Sequence, residues 1–183
     1  MKQQVYIDCR IGTFGEDALR MIALYDSQND QLVISRKLPY QPPKNPYKGK
    51  TAEQIAQMKE IALNTVVVVD NSLAFAKWDL NFSENEHLDE AVQAYYLLNR
   101  NKSLILGDEV KQQCNPEGVI AVRSMDLSGK KYELNSEELT NGNMGVLLVC
   151  WAAIRIRNSS VLIEEGEDPT QDDIDNFDVP FSI

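Results

Sequence analysis

The sequence predicts a single mixed α/β domain, of α/β or α+β type, built on one mixed sheet. Three observations carry that expectation. Thr65-Val66-Val67-Val68-Val69-Asp70 is a continuous β-branched run without alternation, which suits a central strand over 65–70 buried on both faces with helices packed on the sheet. The stretch 143–157 is apolar nearly all round, which suits a core helix rather than a surface one. The chain has 183 residues, 43% hydrophobic and 25% charged, close to the globular average and within the reach of one core.

Along the chain, Gln4-Val5-Tyr6-Ile7-Asp8-Cys9 reads as a first strand. The segment after it admits two readings. Thr13-Phe14-Gly15-Glu16 has capping-box spacing and would start a helix running to about Asp26. Alternatively, Ala18 to Tyr25 and Gln31 to Leu38 form two strands around the polar turn Asp26-Ser27-Gln28-Asn29-Asp30, and we favour this hairpin. Pro39, Pro42, Pro43 and Pro46 make 39–50 an extended loop without regular ladder pairing. Thr51-Ala52-Glu53-Gln54 is a capping box opening a helix with Ile55, Met58 and Ala62 on one face. Ser83-Glu84-Asn85-Glu86 caps another, on which Leu88, Ala91, Val92, Tyr95 and Leu98 recur at helical spacing. Short strands are expected over 103–106, 118–125 and 131–134, the last two joined by a turn at 126–129. In the core helix, Arg155 and Arg157 would occupy a final turn that favours cations.

The charge is unevenly placed. Of 28 acidic residues, eight (Glu164, Glu165, Glu167, Asp168, Asp172, Asp173, Asp175 and Asp178) fall after residue 163, where there is no Lys or Arg. Residues 1–163 then hold 20 acidic against 18 basic side chains, so a nearly neutral domain carries an anionic tail over 164–183. A neutral body lacks the long-range field of a dedicated duplex DNA binder. Cys9, Cys114 and Cys150 are far apart and form no metal-ligand spacing, so no disulfide framework or zinc site is expected. With no leader-like or membrane-spanning run, the expected compartment is the cytosol of a bacterial or virus-infected cell.

Few motifs carry chemistry. Gly49-Lys50-Thr51 lacks the first glycine of a phosphate loop and reads as a capped helix start. His87, the one histidine, sits among Glu84, Glu86, Asp89 and Glu90, which would favour its protonated form on a solvated surface. Cys150 lies within the apolar helix, where a thiol is inert core. Asp8 ends the first strand, Glu53 opens a helix and Asp70 ends the most buried strand; carboxylates at adjacent strand ends can converge to clamp Mg²⁺.

With the hairpin, the order strand, strand, strand, helix, strand over residues 4–80 resembles the ribonuclease H fold. That resemblance implies metal ligands at Asp8, Glu53 and Asp70, and a Mg²⁺- or Mn²⁺-dependent nuclease. This sequence departs from the family in Cys9-Arg10, where Gly-Ser is usual, and in having no acidic residue within 143–157.

In the tail, Asp168-Pro169 is an N-cap followed by proline, so a short helix over 169–177 is allowed. Asp172-Asp173-Ile174-Asp175-Asn176-Phe177-Asp178-Val179-Pro180-Phe181 resembles the acidic tips of bacterial single-stranded-DNA-binding proteins, here followed by Ser182 and Ile183. Those tips are recruitment peptides. The resemblance implies that carboxylates meet a basic rim while Phe177 and Phe181 fill apolar pockets. The expected function is a non-enzymatic interaction protein, an accessory, assembly or inhibitory factor of a bacterial or viral system. Its partner is a basic, partly apolar groove or a neighbouring subunit, with no cofactor, no metal and no membrane. Two alternatives stand beside it: the nuclease, which alone would need Mg²⁺, and a structural subunit of a larger assembly.

Overall fold

The computed structural model describes residues 4–12, 18–40, 45–123, 129 and 131–165, the last six of these in backbone only. It is a mixed α/β fold. The chain order is β1 (Gln4–Ile11), β2 (Leu19–Asp26), β3 (Gln31–Pro39), α1 (Ala52–Leu63), β4 (Thr65–Val69), β5 (Leu80–Asn81), α2 (Glu84–Arg100), β6 (Leu104–Leu106) and α3 (Asp108–Gln113). A 3-10 turn (Pro116–Val119), β7 (Ile120–Val122), β8 (Tyr132–Leu134) and α4 (Asn141–Glu165) complete it.

The hairpin reading holds. β2 and β3 pair antiparallel around the 26–30 turn, with Asp26 accepting from the Gln28 and Asn29 amides and Asp30 taking a positive φ of 50°. The main sheet has the order β5-β4-β1-β2-β3-β6, with β1–β4, β4–β5 and β3–β6 parallel. β7 and β8 form a separate antiparallel pair, fastened to α2 where Asp89 accepts from the Lys131 and Tyr132 amides.

Strand alternation gives the sheet two unlike faces. Ile7, Cys9 and Ile11 of β1, Met21, Ala23 and Tyr25 of β2, Leu32 and Ile34 of β3, and Val66 and Val68 of β4 point into one core. That core is closed by α4, which is buried at every position from Asn141 to Ala153, and behind α4 by Leu88, Ala91, Val92, Tyr95 and Leu98 of α2. The all-round apolar run is thus the central helix. Gly145 lets it approach β2, since a Cβ there would come within 3.1 Å of Met21. On the opposite face Tyr6, Ile22, Leu24, Val33 and Val67 are only half-buried.

Several expectations change. The capping box of α1 forms, with Gln54 N–H to Thr51 Oγ1 at 3.2 Å and Thr51 N–H to Gln54 Oε1 at 3.0 Å. Yet α1 buries no residue, because the core is closed without it; Ile55 and Met58 are half-buried and Ala62 is exposed. Pro39 pairs with Leu19 as the last residue of β3, an end position that needs no donor. Gly118 and Val119 lie in the 3-10 turn, so that strand begins at Ile120. The core helix runs from Asn141 through Glu165, so Arg155 and Arg157 lie inside it, and Glu164 and Glu165 belong to the helix rather than to the tail.

Leu147 is fully buried, whereas Leu63 is 73% exposed. Leu147→Ala should therefore cost about 2–5 kcal/mol, and Leu63→Ala about 0.5 kcal/mol or less, in urea-unfolding midpoints.

Candidate functional site

Chemistry-bearing side chains gather where β1 and β4 end on the half-exposed face. Asp8 is 5% exposed and accepts from Arg20 Nε at 2.9 Å through one oxygen and from Arg10 Nη2 at 3.2 Å through the other. Burial of a carboxylate requires such pairing. Arg20 and Arg10 lie opposite each other across the β1–β2 ladder, which brings both guanidinium groups to the same carboxylate. Arg10 also lies over the Tyr40 ring at 5.3 Å, and Tyr40 meets Phe75 edge-on at 5.1 Å. Its Nε is buried with no hydrogen-bond partner.

Asp70 follows β4, and both its oxygens receive the Gly12 amide, at 3.0 and 3.2 Å. It ties the end of β4 to the end of β1. Asp79, just before β5, accepts from the Val67 amide at 2.7 Å; burial raises its pKa, while that amide and Arg10 oppose the rise. Cys9 faces the core between these groups. Burial, with Asp8 and Asp70 adding to it, pushes its thiol well above the ordinary value, so it is not a nucleophile.

Asp8 lies on β1 and Asp70 directly follows β4, its parallel neighbour. Glu53 sits exposed in the first turn of α1. Among the described residues no group of three or more His, Cys, Asp and Glu side chains can hold a metal. Asp8 is engaged instead by two guanidinium groups. An Asp8 whose two oxygens already receive guanidinium protons has few lone pairs left for the Mg²⁺ that the ribonuclease H resemblance implies. The residues that sequence reasoning missed are Arg10 and Arg20. A sequence signal existed, since alternation places Asp8 and Arg10 on one face of a strand, but the partner strand's register was needed to add Arg20.

His87 also departs from expectation. Its ring packs on Trp151 at 4.8 Å and on Phe82 at 5.9 Å, and its Nδ1 accepts the Ser83 amide at 2.9 Å. It thereby takes the part that Glu86 would play in a capping box, accepting the N-cap amide, while the Ser83 side chain makes no capping bond. Burial, then Arg155, lowers its pKa despite Glu90 and Glu86. Cys150 is fully buried and its thiol is likewise pushed up by burial, as expected of core. A shallow cavity of about 330 Å³ opens beside Leu19, Lys37, Leu38 and Glu109, but the Lys37 ammonium there is held by Gln113 Oε1 at 3.1 Å.

The tail residues Asp172, Asp173, Ile174, Asp175, Phe177, Asp178, Val179, Pro180 and Phe181, and the 169–177 helix, lie outside the described residues. No helix among the described residues is long and apolar enough to cross a membrane. Comparison of the chain with protein-family models, with curated protein sequences and with solved structures finds no match in any of the three.

Asp8→Ala leaves Arg10 partly buried and uncompensated, so it should cost about 2–3 kcal/mol in chemical unfolding, whereas Arg20→Ala, at a guanidinium 41% exposed, should cost about 1 kcal/mol or less. For His87, a pKa lowered by folding means that the unfolded chain binds the proton more readily. The stability it contributes is present above its unfolded value of about 6.5 and is lost as pH falls through the folded value. Unfolding midpoints taken from about pH 7 to pH 5 should fall, and His87→Gln should flatten that slope.

Proposed function

We propose that this chain is a non-enzymatic protein-interaction factor, with an accessory, assembly or inhibitory role. Its anionic, phenylalanine-bearing C-terminal segment is held by a basic, partly apolar groove of a partner or of a neighbouring subunit. Charge segregation carries the reading. Residues 166–183 contain six carboxylates and no Lys or Arg, joined to a body of nearly balanced charge. Carboxylates steer the encounter and fix register, while Ile174, Phe177 and Phe181 supply the apolar anchors that hold most of the affinity at such contacts. Because α4 runs through Glu165, the segment starts from a stiff support packed into the core.

A second reading is the ribonuclease H-type nuclease with Asp8, Glu53 and Asp70. The observation in its favour is that β1 and β4 are adjacent and parallel, although β1 runs on to Ile11, so that Asp8 lies mid-strand rather than at the strand end that the sequence suggests, and Asp70 directly follows β4. The double arginine pairing of Asp8 weighs against it.

Full chain and chain ending at Glu165, each crosslinked in the source cell, should differ: the full chain retains a defined partner, or self-associates, and the shortened chain does not. Equal recovery at low salt would reject the interaction reading. In parallel, Mn²⁺ or Mg²⁺ with single-stranded DNA, duplex DNA or an RNA–DNA hybrid should give no cleavage above buffer. Cleavage abolished by Asp70→Asn in a folded protein would establish the nuclease instead.

A further inference from the structure

The junction between β5 and α2 is closed by an imidazole. Ser83-Glu84-Asn85-Glu86 spells a capping box ahead of α2, but the Ser83 side chain makes no capping bond. The first turn is fastened instead by the His87 ring, whose Nδ1 accepts the Ser83 amide at 2.9 Å, and by the Glu86 and His87 amides, which donate to the Ser83 carbonyl at 3.1 and 2.7 Å. An Nδ1 that accepts is unprotonated, so the neutral ring carries its hydrogen on Nε2, 3.8 Å from Glu86 Oε2. A second proton can go only to Nδ1, where it faces the Ser83 N–H. Two donors cannot share that line, so the charged ring has to turn away from the cap. Its surroundings do not compensate. The side chain is 18% exposed and packs on Trp151 of α4 at 4.8 Å and on Phe82, beside β5, at 5.9 Å. The charged groups around it are Arg155 from α4 and Glu86 and Glu90 from α2; Phe82 and Ser83 bring none. Glu90 is paired with Arg155 at 3.2 Å, and Glu86 is 75% exposed, so solvent screens its pull on the ring.

We propose that His87 is a proton-operated latch: protonating it releases the first turn of α2, residues 83–87, and lifts the ring off Trp151 while the rest of the fold stays closed. The inference stands apart from the interaction reading above. Two fixed points confine the release. Before the turn, Phe82 is buried and its amide bonds to the Val69 carbonyl at 2.8 Å. After it, Asp89 accepts from the Lys131 and Tyr132 amides at 3.0 and 3.1 Å, and Ala91 and Val92 are fully buried. Between these anchors none of Ser83, Glu84, Asn85, Glu86 and His87 is buried, so the turn opens with little apolar surface lost. Opening uncovers Trp151, 1% exposed in the closed form, whose Nε1 is buried without a hydrogen-bond partner and whose ring lies under the Arg155 guanidinium at 4.9 Å. Acid thus presents an indole beside a cation that neutral pH hides. The direction follows from linkage. Folding lowers the His87 pKa, so the open turn binds the proton more readily than the closed one. Opening therefore grows as pH falls below about 6.5, by up to about tenfold per pH unit, until the closed-state value is passed. Asp79, just before β5, acts in the opposite sense, because burial raises its carboxyl and its protonation favours the closed fold.

The test uses the full chain with Trp78→Phe, which removes an exposed indole and leaves Trp151 as the single one. Amide hydrogen-exchange protection and acrylamide quenching of Trp151 are followed from about pH 7 to about pH 5, a window above the ordinary carboxylate range of about 4. Protection of the Ser83, Glu86 and His87 amides should fall at least about threefold across the window, and quenching should rise at least about twofold, while the Val92, Leu148 and Val149 amides keep their protection. His87→Asn, whose Oδ1 can accept the Ser83 amide and does not titrate, should make both readouts flat, and His87→Lys, with a fixed charge, should be open at both ends of the window. Asp79→Asn should keep the response. Protection that does not change with pH overturns the inference. So does a loss shared by Val92, Leu148 and Val149, which would make the titration one of the whole fold, and so does an equal response in His87→Asn, which would assign it to another group. Should His87→Asn not fold, the ¹⁵N titration of the imidazole decides: a midpoint for Nδ1 protonation that coincides with the loss of Ser83 protection supports the latch, and one that does not coincide overturns it.

Discussion

Burial of α4 on all sides is the constraint on which the rest of the structure depends. From Asn141 to Ala153 every position is buried, so the helix has to be enclosed by the sheet in front and α2 behind. Enclosing it decides which face of each strand is apolar, why Gly145 stands opposite Met21, and why α2 keeps one apolar stripe rather than two. It also places the Trp151 ring against Phe82 and His87, which converts a histidine in an acidic segment into a packed, neutral-favouring acceptor for a helix end. A core closed in this way has no need of α1, whose side chains stay exposed or half-buried between β3 and β4.

The two faces of the sheet consequently obey different electrostatics. Ionisable groups turned toward α4, such as the Cys9 and Cys150 thiols, are held neutral by desolvation. Groups turned away are partnered instead: Asp8, nearly buried, is shared by Arg10 and Arg20, and Asp70 is bonded by the Gly12 amide. A carboxylate whose two oxygens already receive guanidinium protons has little left to offer a cation.

Local sequence was enough for the elements whose determinants are local. The β-branched run of β4, the Asp26–Asp30 turn, the Thr51–Gln54 capping box and the apolar helix are legible, because each depends on side-chain periodicity or on hydrogen bonds spanning a few residues. The choice between helix and hairpin before that turn is open in the sequence, since Leu19, Met21, Ala23 and Tyr25 alternate while Ala18, Ile22 and Tyr25 also suit a helix. The segregation of acidic residues beyond 163 is a property of the chain itself. Tertiary structure alone decided what depends on register between distant segments. Whether Asp8 meets a metal-binding neighbour or an arginine is set by the pairing of Arg10 with Arg20 across β1 and β2, and whether His87 is wet or packed is set by Trp151, more than sixty residues away in the chain. Charge and burial act through space, and one strand shifted by one residue would turn Arg20 to the core and leave Asp8 without its closest partner.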